Sequence, residues 1–254
     1  ETLNRPWKTG KKTPPGKDAG RQALERARAS LGRIILDKDE QIALALACLL
    51  ARGHLLIEDL PGLGKTTLAQ ALAKVLGLSY RRIQFTSDLL PADIVGVSIF
   101  RRDSGKFEFQ PGPVFAQLIL ADEVNRATPK AQSALLEAME EHQVSVDGDT
   151  RPLPVPFFVV ATQNPADQIG TFPLPESQLD RFLMRLALGY PNAENERVLI
   201  TGEDRRSMLE SVTPEMTPEA LVNLQLDAAK VHMSEHLVDY IQALVRQTRE
   251  SPDI

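Results

Sequence analysis

Cysteine is nearly absent: Cys48 stands alone among 254 residues. No disulfide can form within the chain, which fits a reducing compartment, and a cytoplasmic location is expected. Long apolar runs are absent too. The longest, IALALACLLA (42–51), is flanked by Glu40 and Arg52 and falls short of the roughly 18 residues that span a bilayer. It reads as a buried helix. Positive charge is in deficit, with a net charge of −5 and an isoelectric point near 5.5. That argues against broad nucleic-acid binding, which needs a basic surface. A starting methionine and a signal peptide are also missing; the chain begins at Glu1, so its ends need not be native ones. What is present is the balance of a soluble globular protein, 43% hydrophobic and 25% charged, in one large domain or a domain with a smaller companion.

The patterning divides the chain in three. Residues 1–20 are polar, basic and rich in Pro and Gly, and read as a flexible arm. Residues 21–190 read as an α/β nucleotide-binding domain. Helical patterns run from Arg21 to about Leu36 and then to Gly53, the second capped by Asp37 or Asp39. Strand-like apolar runs follow, interleaved with helices: HLLIE (54–58), YRRIQF (80–85), LILAD (118–122), PFFVVAT (156–162) and FLMRLAL (182–188). Continuous apolar strands between helices predict a parallel sheet covered on both faces. Two hairpins interrupt this order, VSIFRRDSGKFEF (97–109) and QVSVDGDTRPLPV (143–155), the latter turning at Asp147-Gly148. Residues 191–254 are helical in pattern, without strands, and read as a helical lid that stops in mid-pattern.

One glycine is missing where chemistry is suggested. IEDLPGLGKTTLA (57–69) lies between an apolar strand and a helix, yet Asp59 stands where the phosphate-loop pattern Gly-x-x-x-x-Gly-Lys-Ser/Thr begins with glycine. The other half is intact. Pro61, Gly62, Leu63, Gly64, Lys65, Thr66 and Thr67 form the candidate nucleotide loop. Gly62 and Gly64 let amides turn toward an anion, and the helix from Lys65 adds its positive end. Lys65 would reach β- and γ-phosphates, and Thr66 would offer a hydroxyl to Mg²⁺. Asp59 should point away from phosphate and brace the loop through backbone amides or a basic neighbour.

A metal-bound nucleotide also needs an acid at a neighbouring strand end. LILADEVNR (118–126) supplies Asp122 for Mg²⁺, through water, and Glu123 to activate an attacking water. VVATQNP (159–165) brings Asn164 to the carboxyl edge of the sheet. ESQLDRFLMR (176–185) carries Arg181 and Arg185. Either Arg181 neutralises charge at a neighbouring subunit's γ-phosphate, or it makes a surface ion pair with Asp180 or Glu176.

With these motifs in order, the chain resembles the MoxR family of AAA+ ATPases. The strings GHLLIEDLPGLGKT, RIQFTSDLLPADIVG, FEFQPGPVFAQLILADEVNRATPKAQSALLEAMEEHQVSV, PFFVVATQNP and GTFPLPESQLDRFLMR carry the likeness across about Leu31 to Pro191. The resemblance implies Walker A at Lys65 and Thr66, Walker B at Asp122 and Glu123, sensor 1 at Asn164 and the arginine finger at Arg181. It puts Arg126 near a subunit junction and makes the hairpins the helix-2 and pre-sensor-1 inserts. It implies Mg²⁺-dependent ATP hydrolysis to ADP by a ring of identical subunits, usually a hexamer. That ring would remodel client complexes with proteins bearing von Willebrand factor A domains. In the family the lid continues past VRQTRE to a Ser-Pro-Arg string, whereas this chain ends Ser251-Pro252-Asp253-Ile254. A truncated lid is expected, and Arg249 takes no sensor role.

Rival readings stay open at this point: a nucleic-acid-dependent AAA+ motor, a small-molecule P-loop kinase, or a nucleotide-binding scaffold that does not hydrolyse. No Asn-Lys-x-Asp string favours guanine. His232 and His236 stand one helical turn apart without a third ligand, which reads as surface rather than a metal site. Asp88 and Asp93 read as caps or loop anchors, and Arg101-Arg102-Asp103 as a solvated or pore-facing hairpin tip.

Overall fold

A computed structural model describes residues 17–165, 170–202 and 205–251. Helix α1 (Lys17–Ile34) opens inside the last four residues of the segment expected as an arm; residues 1–16 lie outside the described residues. Helix α2 (Asp39–Leu50) follows. Its cap corrects the sequence reading. Lys38 holds the N-cap position without a capping side-chain bond; its Nζ donates instead to Tyr190 O at 3.0 Å. Asp37 instead adopts a left-handed backbone (φ 61) and accepts from the backbone N and Nδ2 of Asn192 at 2.7 and 3.0 Å. The helix also ends earlier than Gly53. Arg52 takes the left-handed position (φ 59), and Gly53 is glycine because a Cβ there would sit 2.3 Å from Leu183.

Strand β1 (Leu55–Glu58), helix α3 (Lys65–Val75), strand β2 (Tyr80–Gln84) and the short helix α4 (Pro91–Val95) come next. Asp93 anchors α4 by accepting from Leu90 N at 2.9 Å. Strands β3 (Gly96–Arg101) and β4 (Lys106–Pro111) form the first hairpin. Strand β5 (Leu118–Asp122) and helix α5 (Pro129–Glu141) follow. The second hairpin, β6 (Gln143–Val146) and β7 (Asp149–Pro152), turns with positive φ at both Asp147 and Gly148, as a primed turn requires. Strand β8 (Phe158–Gln163), the one-turn helix α6 (Glu176–Leu179) and strand β9 (Met184–Leu186) complete the α/β part. Helices α7 (Ala193–Thr201), α8 (Arg205–Ser211), α9 (Pro218–Ala228) and α10 (Glu235–Glu250) end the described chain.

The sheet runs β2-β5-β8-β1-β9, and every pairing in it is parallel. The expected architecture, a parallel sheet with helices on both faces and two inserted hairpins, is the one observed. Successive residues of each inner strand serve opposite layers, as the strand period of two demands. Leu55, Ile57, Leu118, Leu120, Phe158 and Val160 face the layer built with α1, α2 and α3. Leu56, Ile119, Ala121, Val159 and Ala161 face the layer built with α4 and α5. Helix α9 docks on the first layer, where Leu221 is fully buried and Gln225 Nε2 donates to Leu49 O at 2.7 Å. Every residue of α10 is exposed.

The hairpins meet each other. The Arg151 guanidinium lies over the Phe109 ring, 4.1 Å from its centroid. At the far end of β3–β4, Phe100 and Phe107 pair across the strands with ring centroids 5.3 Å apart.

Candidate functional site

Parallel strands deliver all their carboxyl ends to one edge, and the candidate residues follow those ends. β1 runs into the loop 59–64, whose first amide donates from Asp59 N to Gln163 O of β8 at 3.2 Å. Asp59 turns its carboxylate into the protein. Oδ1 accepts from Leu60 N at 2.9 Å and Oδ2 from Gly189 N at 2.6 Å. The brace anticipated from the sequence therefore uses two backbone amides.

Gly62 and Gly64 hold φ of 84° and 87°, and a Cβ on either would meet nothing within 4 Å. Left-handed geometry selects glycine here, and the space above the loop is open. Gly64 ends the loop as N-cap of α3 without a side-chain bond, so the first amides of α3 have no capping side chain. Lys65 curls back. Its Nζ donates to the carbonyls of Asp59 and Leu60, the latter at 3.1 Å. Burial lowers its pKa, opposed by Asp59, Asp122 and Glu123. The ammonium thus shares one electrostatic neighbourhood with both acids.

β5 is buried from Leu118 to Asp122. Asp122 is 8% exposed, so its charge demands partners. Oδ1 accepts from Thr162 Oγ1 at 2.6 Å. Oδ2 accepts from Arg82 Nε at 3.1 Å and Nη2 at 2.7 Å. Glu123 leaves the strand in a left-handed conformation, φ 57 and ψ 50, uncommon for a residue with an ordinary side chain. Its N–H donates to Thr162 Oγ1 at 2.9 Å. Its Oε2 accepts from Gln84 Nε2 at 3.1 Å and Arg126 Nη1 at 3.0 Å.

The structure thus brings together the loop with Lys65, and Asp122 with Glu123. Asn164 is buried beyond the end of β8, and its carbonyl accepts from Asn125 Nδ2 at 3.4 Å. Arg181 follows α6 and pairs with Glu140 at 2.7 Å, rather than with Asp180 or Glu176. Arg185 pairs with Glu58 at 3.2 Å. Among the described residues no three His, Cys, Asp or Glu side chains gather as a metal cluster, and His232 and His236 are exposed.

Three contributors escaped the motif reading. Thr162 stood inside VVATQNP as a strand residue, yet it binds both acids' neighbourhood. Arg82 and Gln84 stood inside YRRIQF. A polar residue on every second strand position, beside an acid-ended strand, was the available signal; the register Arg82↔Leu120 and Gln84↔Asp122 makes the contacts.

Residues 54–184 match the model of the ATPase family associated with various cellular activities (AAA). The chaperone MoxR1 of Mycobacterium tuberculosis (strain ATCC 25618 / H37Rv) is 44% identical over 246 residues, 93% of this chain and 63% of that protein. This chain belongs to the MoxR family of AAA+ ATPases. The uncharacterized protein YeaC of Bacillus subtilis (strain 168) is 46% identical over 231 residues, 91% of this chain and 72% of that protein. A crystal structure of a candidate ATPase from Cytophaga hutchinsonii superposes with a TM-score of 0.80 at 40% identity, covering 90% of this chain and 69% of that one.

The residues present fit a magnesium–nucleotide complex. The open glycine cradle and the uncapped start of α3 suit phosphate oxygens. Magnesium is held through one or two carboxylates together with phosphates and water, and Thr66 with Asp122 offers that donor chemistry. No described helix is long and apolar enough to cross a membrane.

Proposed function

We propose that this MoxR-family chain is a Mg²⁺-dependent ATPase that works in a ring of identical subunits. The observation that carries the reading is the placement of Lys65 at the start of α3 after β1, and of Asp122 and Glu123 at the end of β5, on the one carboxyl edge of a parallel sheet. On binding nucleotide, Lys65 exchanges the Asp59 and Leu60 carbonyls for β- and γ-phosphate oxygens. Thr66 would offer a hydroxyl and Asp122 its carboxylate, through water, to the ion, which when bound would neutralise charge building on the phosphates. Glu123 accepts the proton of the attacking water, and Asn164 orients that water or the γ-phosphate. Arg181 leaves Glu140 to reach the nucleotide of the adjacent subunit. Arg126 faces the same junction.

The biological task follows from the relative's printed name, a chaperone. We infer remodelling or maturation of client complexes, with a von Willebrand factor A domain protein as partner. Nucleotide titration and steady ADP release test the core of the proposal. Lys65→Ala should remove most binding. Glu123→Gln should retain binding and lower turnover by at least about a hundredfold, the usual contribution of a positioned base. Wild-type turnover by Glu123→Gln would sink its assigned role.

A further inference from the structure

The protein itself already places three donors on the Asp122 carboxylate. Arg82 Nε and Nη2 fill Oδ2 at 3.1 and 2.7 Å, and Thr162 Oγ1 takes Oδ1 at 2.6 Å. The buried carboxylate is thus neutralised by a guanidinium. That guanidinium is not itself sealed in. Arg82 lies on the edge strand β2 and its side chain is 48% exposed, against 11% for Asp122. It also holds a second acceptor, since Nη2 donates to Gln84 Oε1 at 2.7 Å. Residues 82 and 84 lie on one face of the strand, so Arg82 has an anchor if Asp122 releases it.

A guanidinium and a divalent cation at one carboxylate repel each other. Free Mg²⁺ that brings its water shell to Oδ2 must displace Arg82 with nothing to balance the added charge. Mg²⁺ carried by nucleotide phosphates arrives with its own anions. We propose that Arg82 is a displaceable counter-ion of Asp122, which keeps free Mg²⁺ out and yields to a magnesium–nucleotide complex. This rests on the nucleotide reading above and adds to it an order of loading.

The test uses the full chain, its Arg82→Gln and Arg82→Met variants, and Arg82→Gln combined with Asp122→Asn. Thermal midpoints are read against MgCl2 without nucleotide. The wild-type midpoint should stay flat. Arg82→Gln should start lower, because a buried carboxylate has lost its partner, and climb as Mg²⁺ takes the place. The double variant should not respond. Binding of fluorescent ADP is then read against MgCl2. The half-saturating Mg²⁺ concentration for Arg82→Gln should fall about tenfold, as when a resident partner holds a site about nine-tenths of the time. An unchanged or raised Mg²⁺ requirement, or a flat midpoint for Arg82→Gln, overturns the proposal. Should Arg82→Gln fail to fold, Arg82→Met, which keeps the aliphatic stem without the charge, decides, with an unchanged requirement again overturning it. Failure of the wild type to bind ADP at any Mg²⁺ concentration would instead sink the nucleotide reading, and the nucleotide-free midpoints would still judge Arg82.

Discussion

His54 stands at the root of β1, buried to 5% exposure. Its Nδ1 accepts from Val159 N at 3.0 Å, and Nε2 then donates toward Met139 O at 3.3 Å. Burial drives its pKa down to about 4, with the Met139 carbonyl opposing and His142 assisting. The fold therefore holds the neutral ring, while the unfolded chain protonates near pH 6.5. The stabilisation is complete above that value and declines as pH falls toward about 4, by roughly 3 kcal/mol in all. Urea unfolding across that interval should show the decline, and the His54 ring resonance should not titrate until its lower end. Local spacing marked Lys65, Asp122, Glu123 and Asn164 as candidates because loop and strand-end patterns are written in adjacent residues. Thr162, Arg82, Gln84 and His54 act across strands, where register rather than spacing chooses the partner.

At the level of elements, β5 matched its expected span because apolar runs and an ending acid mark a buried strand clearly. β9 did not. FLMRLAL suggested seven residues, but only Met184–Leu186 pairs, since β9 is an edge strand with its length set by β1 (Leu55↔Met184 to Ile57↔Leu186). The helical segment shows a sharper contrast. α9 buries Leu221 completely, whereas Ile241 and Leu244 of α10 are 43% and 49% exposed. Leu221→Ala should cost about 2–5 kcal/mol. Ile241→Glu and Leu244→Glu should each stay within about 0.5 kcal/mol in this chain. Chemical denaturation distinguishes them; equal losses would mean that α10 packs in solution.

The whole molecule raises the question of neighbours. Arg181 spends its charge on Glu140 within one chain, an ion pair between two partly exposed side chains that is weak enough to exchange. If it serves a neighbour's nucleotide, Arg181→Ala should lower turnover by about a thousandfold or more in assembled protein. Nucleotide affinity of the dilute, unassembled chain should stay nearly constant. Turnover per subunit measured against protein concentration, with sedimentation alongside, checks both. A loss that is the same at every concentration would place Arg181 in its own subunit's chemistry.

Consider, last, the Asp59 carboxylate that ties Leu60 to Gly189. In engineering terms the phosphate loop is a beam resting on two supports, the β8 carbonyl behind it and the end of β9 beside it, rather than a cantilever. On the nucleotide reading proposed above, filling the cradle would call for the swing of one ammonium, not the refolding of a span. Any load that a ligand places on the beam has a mechanical exit at Gly189, three residues before Asn192 and the helices that follow.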